Sequence, residues 1–194
     1  MMTGRRVRVL LVASVLVVAA TVGLRAAEGR FWTLECSVDR PWLLVVNDPV
    51  GTTRYAWVVT FRVTNPTQQT AFYLPHFSVV TESEKVYRNV VDFAAEREAE
   101  LRLGRQFLNV VDLIGDLKPG ESKEGLAVFR LPDPESDHFE LYAGGLSSEY
   151  KTVERGGRST VVRKMLLYEF YRAGDAYDIY LDTIHKVKSR WVWR

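Results

Sequence analysis

The amino-acid sequence predicts an all-β fold, an antiparallel β-sandwich with one short inserted helix, and an apolar helix at the N-terminus. Three observations lead to this prediction. Apolar and polar residues alternate with a period of two over most of the chain after Phe31, which is typical of strands with one buried face. Turn residues separate these segments at short intervals. Strands and helices do not alternate as a parallel α/β sheet requires.

The clearest strand is "RYAWVVTFRVTN" at residues 54–65. Its alternation predicts a buried face made of Tyr55, Trp57, Val59, Phe61 and Val63. The opposite face is mostly polar and is expected to be exposed. Pro66 ends the strand because proline has no backbone N–H to donate to a ladder. Further strands are predicted at residues 32–38, 42–47, 70–81, 85–91, 125–131, 138–142, 161–171 and 184–193.

The segment "DFAAEREAELRLG" at residues 92–104 departs from this alternation. It is rich in Ala, Glu, Arg and Leu, and Glu98 and Arg102 have the spacing of a helical ion pair. We therefore predict one short surface helix there. The polar segment at 147–159 is predicted to be an extended loop. Residues 161–194 are β-branched and aromatic, and we expect them to form an additional β region packed against the fold.

A charged turn in "IGDLKPGESKEGLAVFRLP" at residues 114–132 has the composition of a candidate site. Pro119 presets a turn backbone, and Gly120 tolerates the positive φ of a type II turn. The bend therefore has a local explanation that needs no ligand. The inward face of the following strand is predicted to consist of Ala127, Phe129 and Leu131.

Residues 1–25 predict a signal peptide or a signal anchor. Arg5, Arg6 and Arg8 precede an uncharged apolar run at residues 9–24, as in export signals. Both fates stay open, since the run is close to the lower limit of about 17 residues for a spanning helix. Basic flanks remain in the cytoplasm. Residues 26–194 are therefore expected to form one extracytoplasmic domain in the cell envelope, either anchored in the inner membrane or secreted after cleavage.

We predict no catalytic residue, no cofactor and no metal site. Cys36 is the single cysteine, so the chain forms no internal disulfide. The three histidines lack the spacing of metal ligands, and neither a G-x-S-x-G elbow nor a phosphate-binding loop is present. The formal charge of +2 gives no electrostatic reason to expect nucleic acid as a partner. These observations predict a protein that is not an enzyme.

The segments "WVVTFRVTNPTQQTAFYL", "LKPGESKEGLAVFRLP" and "HFELY" together resemble the telokin-like, immunoglobulin-type β-sandwich domains of exported bacterial proteins of unassigned function. The resemblance covers roughly residues 55–142. It implies an immunoglobulin-like sandwich and an envelope location, and that family supplies no catalytic residues. The helical insertion at 92–104 and the region from residue 161 depart from the family pattern.

Aromatic residues crowd the C-terminal third of the chain and supply a candidate binding surface: Tyr168, Tyr171, Tyr177, Tyr180, Trp191 and Trp193. Exposed rings would stack on a sugar or anchor a protein, whereas buried rings would fill a core that has no disulfide. Trp191 and Trp193 share a strand face, so we expect both to be buried or both exposed. We favour burial, because a terminal strand needs contacts that hold it.

These features predict a non-enzymatic cell-envelope protein whose sandwich domain serves protein–protein binding or structural assembly. The alternative is a carbohydrate-binding or carbohydrate-processing protein that combines the C-terminal aromatics with carboxylates of Asp175, Asp178 or Asp182. The expected partners are an envelope protein, the membrane through residues 9–24 and, on the alternative, a glycan.

Overall fold

The computed structural model of the protein describes residues 31–47, 51–130, 136–174 and 184–194. The predicted signal segment at 1–25, with its apolar run at 9–24, lies outside these ranges. Within them, no helix is long and apolar enough to cross a membrane.

Strands account for most of the described residues, and one helix, α1 (Phe93–Leu103), lies between the sixth and seventh strands. In chain order the strands are β1 (Glu35–Val38), β2 (Trp42–Asn47), β3 (Thr53–Thr64), β4 (Ala71–Tyr73), β5 (His76–Thr81), β6 (Val86–Arg88), β7 (Leu108–Asn109), β8 (Gly115–Leu117), β9 (Ser122–Arg130), β10 (His138–Gly144), β11 (Tyr150–Arg155), β12 (Arg158–Arg172) and β13 (Ile184–Trp193). The mostly β fold with one short helix is confirmed. The predicted strand at 70–81 is instead two strands, β4 and β5, which pair in different sheets.

Most strands of the described residues belong to two larger sheets. The first sheet has the order β1-β3-β9-β7, and β2 also pairs with β3. The second has the order β11-β12-β10-β5-β6, and β13 also pairs with β12. All of these pairings are antiparallel except that of β7 with β9. A small third sheet joins β4 and β8.

Side chains from both larger sheets meet in one hydrophobic core. The Trp57 ring of β3 lies edge-on to the Phe139 ring of β10, with centroids 4.6 Å apart. The rings of Phe61 on β3 and Phe77 on β5 also join the two sheets, with centroids 4.5 Å apart. Aromatic contacts of this kind contribute about 1 kcal/mol beyond the burial of apolar area. The alternation of β3 thus places Trp57 and Phe61 in the core, as the sequence predicted.

The other face of β3 contradicts the prediction of an exposed polar surface. Ala56 and Val58 are fully buried, and they belong to a second core with Ala95 and Ala99 of α1. The helix covers this face of the first sheet because its two small alanines allow a close approach. At the start of β3, Tyr55 is exposed although the alternation predicted burial.

The ends of α1 match the predicted segment 92–104. Asp92 is the N-cap, and its carboxylate accepts a hydrogen bond from the backbone N–H of Ala95 at 3.2 Å. Gly104 ends the helix with a φ of 67°, a left-handed conformation that glycine adopts without steric cost. The Asp92 carboxylate also accepts hydrogen bonds from Nη1 and Nη2 of Arg54, at 2.5 and 2.7 Å, and from Nε of Arg130 at 3.1 Å. One carboxylate therefore fastens the helix start to two strands of the first sheet.

The turn at Lys118–Glu121 is part of the framework. The Glu121 N–H donates to the Lys118 carbonyl at 3.0 Å, and Gly120 has a φ of 75°, as a type II turn requires. The buried Asn65 accepts a bond from the Gly120 N–H on its carbonyl at 2.8 Å, and its side-chain amide donates to the Leu117 carbonyl at 2.8 Å. Ala127 and Phe129 of β9 are buried as predicted, while Leu131 lies outside the described residues.

The predicted loop at 147–159 is largely a β-hairpin. Strands β11 and β12 pair from Tyr150↔Arg163 to Arg155↔Arg158. Gly156 and Gly157 form the turn with φ values of 56° and 73°, and two consecutive positive φ values match the twist of a two-residue hairpin. The prediction of a loop was wrong because the strands near the hairpin turn are exposed and therefore carry polar side chains, without the apolar alternation of a buried strand.

Candidate functional site

Strand β13 is the exposed C-terminal edge of the second sheet. Among the described residues it pairs with β12 and with no other strand. All of its side chains are exposed except those of Ile184, which is buried, and Val192, which is half-buried. The sequence predicted the bounds of this strand correctly at 184–193. It did not predict that the strand lies at an edge, since pairing between distant segments leaves no local pattern.

Trp191 and Trp193 lie on the same face of β13. Trp191 is opposite Leu166 and Trp193 is opposite Lys164 in the register with β12. The two residues are 38% and 36% exposed. They are therefore exposed together, and the burial that we favoured is not observed. Two neighbouring rings on an exposed strand are a feature of interaction surfaces more than of a core.

Two lysines from neighbouring strands lie against these rings. The Nζ of Lys151 lies 4.6 Å from the ring centroid of Trp193, and that of Lys164 lies 5.3 Å from that of Trp191. Cations at such distances are attracted to the ring face by about 0.5–1 kcal/mol at exposed sites. These four residues are named the tryptophan face. The sequence signalled the tryptophans but not the lysines, which the β11–β12 hairpin brings into place.

The rest of β13 is strongly basic. Residues 184–194 contain Lys186, Lys188, Arg190 and Arg194 and no acidic residue. Lys188 and Arg190 both contact the carboxylate of Glu169 on β12, at 3.1 and 3.2 Å. Two cations thus share one anion, and the edge keeps a positive charge that would attract an anionic partner.

Tyr168 does not belong to this surface. It is only 1% exposed, and its hydroxyl donates to the carbonyl of Cys36 at 2.5 Å. Burial, reinforced by the neighbouring Cys36, raises the pKa of Tyr168 far above its ordinary value. Lys186 covers the ring from β13, with its Nζ 4.6 Å from the centroid. The side chain of Tyr168 therefore fills the core and is not available to a partner.

The other predicted aromatics lie apart from the tryptophan face or outside the described residues. Tyr171 is partly exposed near the far end of β12, where its ring lies 4.7 Å from that of His138. The Nδ1 of His138 lies 2.6 Å from a carboxylate oxygen of Glu82. The remaining predicted residues fall in the segment 175–183, outside the description: Tyr177, Tyr180, Asp175, Asp178 and Asp182.

An open groove of about 530 Å³ adjoins the tryptophan face through Lys164. Exposed apolar side chains line it, among them Phe72, Leu74, Tyr150 and Val161. His76 also lines the groove, and burial followed by the nearby charge of Arg163 lowers its pKa. The exposed apolar side chains suit an apolar group of a partner, and two cations, Arg163 and Lys164, also line the groove. The sequence did not single out these residues because they come from three separate segments, at 72–76, 150 and 161–164.

The side chains around this surface do not meet the needs of a metal site in the described part of the chain. There, no three side chains of His, Cys, Asp or Glu are grouped so that they could hold a metal ion. Two carboxylates beside this surface form ion pairs: Glu149 with Lys164, and Glu169 with Lys188 and Arg190. The arrangement offers stacking surfaces, positive charge and backbone hydrogen-bonding groups, which are the elements of a binding site.

Comparison with known proteins gives one distant structural likeness. A crystal structure titled as a conserved hypothetical protein from Bacillus anthracis has a TM-score of 0.41 and 19% sequence identity to this chain, and the match covers 59% of this chain and 89% of the other. No family model matches the sequence. No curated protein matches it either.

Proposed function

We propose that the protein is a non-enzymatic binding module of the cell envelope, held at or exported through the inner membrane by residues 1–25. Its β fold is proposed to be an immunoglobulin-like sandwich related to telokin-like domains, with residues 161–194 as an added β region. On this proposal the C-terminal edge of the second sheet recruits a protein partner.

The observation that carries the proposal is the exposure of Trp191 and Trp193 on one face of an edge strand, each with a lysine at its ring. Tryptophan and arginine dominate the binding energy of protein interfaces. Exposed tryptophans also cost solubility, so a large pair at the surface points to a partner that covers it. The export signal predicted from residues 1–25 supports a partner in the envelope.

A glycan is a second candidate for the same surface. The side chains of Trp191 and Trp193 lie on one strand face and offer aromatic rings on which sugar rings could stack. The carboxylates that the sequence suggested for sugar processing, Asp175, Asp178 and Asp182, lie outside the described residues, so this candidate rests on the tryptophans alone. Tryptophan fluorescence titrated with soluble cell-wall glycan fragments tests it, because sugar stacking would change the emission of the wild-type chain and not of a Trp191→Ala/Trp193→Ala variant.

Site-specific crosslinking in intact membranes tests the protein-binding proposal. A photoreactive amino acid replaces Val187, which is exposed on β13, and the full chain is expressed and irradiated in the cells that produce it. A discrete protein adduct is expected. Combination with Trp191→Ala and Trp193→Ala should reduce the adduct by about tenfold or more, because such anchor residues each contribute 2 kcal/mol or more.

The matched control carries the same photoreactive residue at Leu101, which is exposed on α1, on the opposite side of the first sheet from the core. It should give no adduct of that size. An adduct of equal yield from both positions, or none from Val187, would refute a partner at the C-terminal edge. Identifying the captured protein from the Val187 adduct then names the partner.

A further inference from the structure

Among the described residues no strand pairs with the outer edge of β13, so its outward backbone hydrogen-bonding groups have no strand partner there. Arg194 and Arg163 exchange both of their backbone hydrogen bonds, at 2.9 and 3.0 Å. In an antiparallel pair such bonded residues alternate with residues whose N–H and C=O groups point away from the partner strand. Given the unbroken register from Trp193 to Lys188, the outward-pointing residues are Ser189, Trp191 and Trp193.

These outward groups form a template for one more strand. Residues 184–194 contain no proline, which would have removed a donor. The single register shift in the β12–β13 pair lies between Glu169 and Phe170. It therefore falls before Lys188 in β13 and does not affect the part that carries the tryptophans. The part of β13 from Lys188 to Trp193 is thus a regular edge, on which every second residue (Ser189, Trp191 and Trp193) points its backbone groups outward. An extended chain can add to such an edge by strand pairing.

The side chains of β13 specify what that strand contains. Trp191 and Trp193 lie on one face, and Lys188 and Arg190 lie on the other. Residues directly opposite one another on a shared face interact, and opposite charges or apolar pairs are favourable. An added strand that alternates acidic with apolar residues therefore places carboxylates beside Lys188 and Arg190 and apolar groups beside the tryptophans.

We propose that β13 binds an extended acidic segment of a partner protein, in which Asp or Glu alternates with apolar residues, by strand addition. This inference rests on the proposed function and names the partner's chemistry. A second copy of this chain does not fit, because two β13 edges would place like charges opposite one another, with no acidic residue in 184–194 to offset them.

Lysines on an edge strand also serve to prevent strand pairing, which is the competing explanation for this composition. A protective edge has charged residues and few apolar ones. Here the same strand exposes Trp191 and Trp193, which promote association. The combination of apolar anchors on one face and cations on the other favours a strand that is apolar on one face and acidic on the other, and it repels basic strands.

Short synthetic peptides test the proposal with the full chain in neutral detergent micelles. Fluorescence anisotropy of a labelled peptide with alternating Glu and Val is expected to report saturable binding. A peptide of the same composition with all Glu residues grouped together, and a peptide with alternating Lys and Val, should bind at least about tenfold more weakly, since one charge mismatch or lost pairing costs more than 1.4 kcal/mol.

Two backbone-methylated versions of the Glu/Val peptide separate strand addition from simple charge attraction. Methylation of alternate N–H groups blocks one edge of a strand and leaves the other intact. One of the two methylated peptides should therefore bind like the parent, and the other should lose binding. Equal binding of both methylated peptides would show charge attraction without strand pairing and would overturn the proposal.

Protein variants and lipid complete the test. Lys188→Gln with Arg190→Gln should weaken binding of the Glu/Val peptide by about tenfold. Lys118→Gln with Lys123→Gln, in the turn before β9 and at the start of that strand, should leave it unchanged. Competition by phosphatidylglycerol in the micelles would assign the edge to anionic lipid and overturn the proposal.

If the Val187 crosslink forms but no Glu/Val peptide binds, the acidic-strand inference fails while the proposed protein-binding function stands.

Discussion

At the scale of single residues, the core contains two tyrosines with opposite hydrogen-bonding situations. The Tyr168 hydroxyl donates to the Cys36 carbonyl at 2.5 Å. The Tyr73 hydroxyl is buried and has no hydrogen-bond partner among the described residues. Burial, together with the neighbouring Cys36 and Tyr168, raises the pKa of Tyr73 well above its ordinary value. The three polar groups therefore share one enclosed part of the core, and of the two hydroxyls only that of Tyr168 has a hydrogen-bond partner among the described residues.

Replacement of each tyrosine by phenylalanine should consequently act in opposite directions. Tyr73→Phe removes an unsatisfied buried hydroxyl and is expected to raise the free energy of unfolding by about 1 kcal/mol, whereas Tyr168→Phe removes a hydrogen bond and orphans a carbonyl, and should lower it by about 1–2 kcal/mol. Urea unfolding of the two variants and the wild type measures both changes. A loss of stability in Tyr73→Phe as large as that in Tyr168→Phe would mean that the Tyr73 hydroxyl has a bound water or another partner.

At the scale of secondary-structure elements, the sequence predicted the two ends of α1 but not the sheet face on which the helix packs. Asp92 and Gly104 mark the two ends of the helix in the sequence, because capping is a local interaction. The place where the helix packs depends on Ala95 and Ala99 meeting Ala56 and Val58, which are far away in the chain. Ala56 and Val58 are a local signal of this packing, because they are two apolar residues on a face that alternation assigns to solvent.

The link between α1 and the first sheet should depend on pH through Asp92, whose side chain is 3% exposed. Burial by itself raises the pKa of this carboxyl, but hydrogen bonds from Arg54, the Ala95 N–H and Arg130 outweigh it and hold the pKa at about 2, against an ordinary 3.8. A lowered acid pKa adds stability above the unfolded value and loses it as the pH falls towards the folded value. The ion pairs of Asp92 are therefore intact above about pH 4 and weaken towards about pH 2.

Asp92→Asn isolates this effect, because asparagine is also a good N-cap. At neutral pH the variant should be less stable than the wild type by about 2 kcal/mol, the equivalent of the pKa shift. The difference should shrink as the pH falls from about 4 to about 2, where the wild-type carboxyl takes up its proton. Denaturant unfolding at several pH values measures it, and a difference that does not change with pH would show that the aspartate acts only as a cap.

At the scale of the whole molecule, the alternating segments were enough to predict two antiparallel sheets around a core, and the C-terminal strand was predicted at its observed bounds. The candidate surface was predicted only in part. Trp191 and Trp193 were visible in the sequence, but Tyr168 appeared equivalent to them and lies in the core. The β11–β12 hairpin brings Lys151 and Lys164 to the tryptophans. Its polar composition predicts a loop, so the sequence did not indicate this contact. Which face of a long strand meets solvent depends on where the opposing sheet ends, and this is a property of the assembled fold.

Cys36 provides a probe of how the assembled fold opens. It lies on β1, half-buried against the core to which both large sheets contribute. Burial raises the pKa of its thiol to about 12, although a hydrogen bond with Tyr168 and the charge of Lys186 act in the other direction. Because the thiolate is the reactive form, alkylation of the native protein should be slow at neutral pH and should continue to accelerate with pH beyond the ordinary thiol range.

The rate of that alkylation should distinguish local from global opening. If the core holds β1 in place, labelling of Cys36 in increasing urea should follow the loss of native Trp fluorescence, since both then report one cooperative transition. Labelling that begins at clearly lower urea than the fluorescence change would instead identify detachment of β1 as a separate, lower-energy opening. Val63→Ala, which removes apolar contact from the β3 residue paired with Cys36, should lower both midpoints together under global opening. Under local opening it should advance the labelling more than the fluorescence change, because the first event is then the separation of β1 from β3.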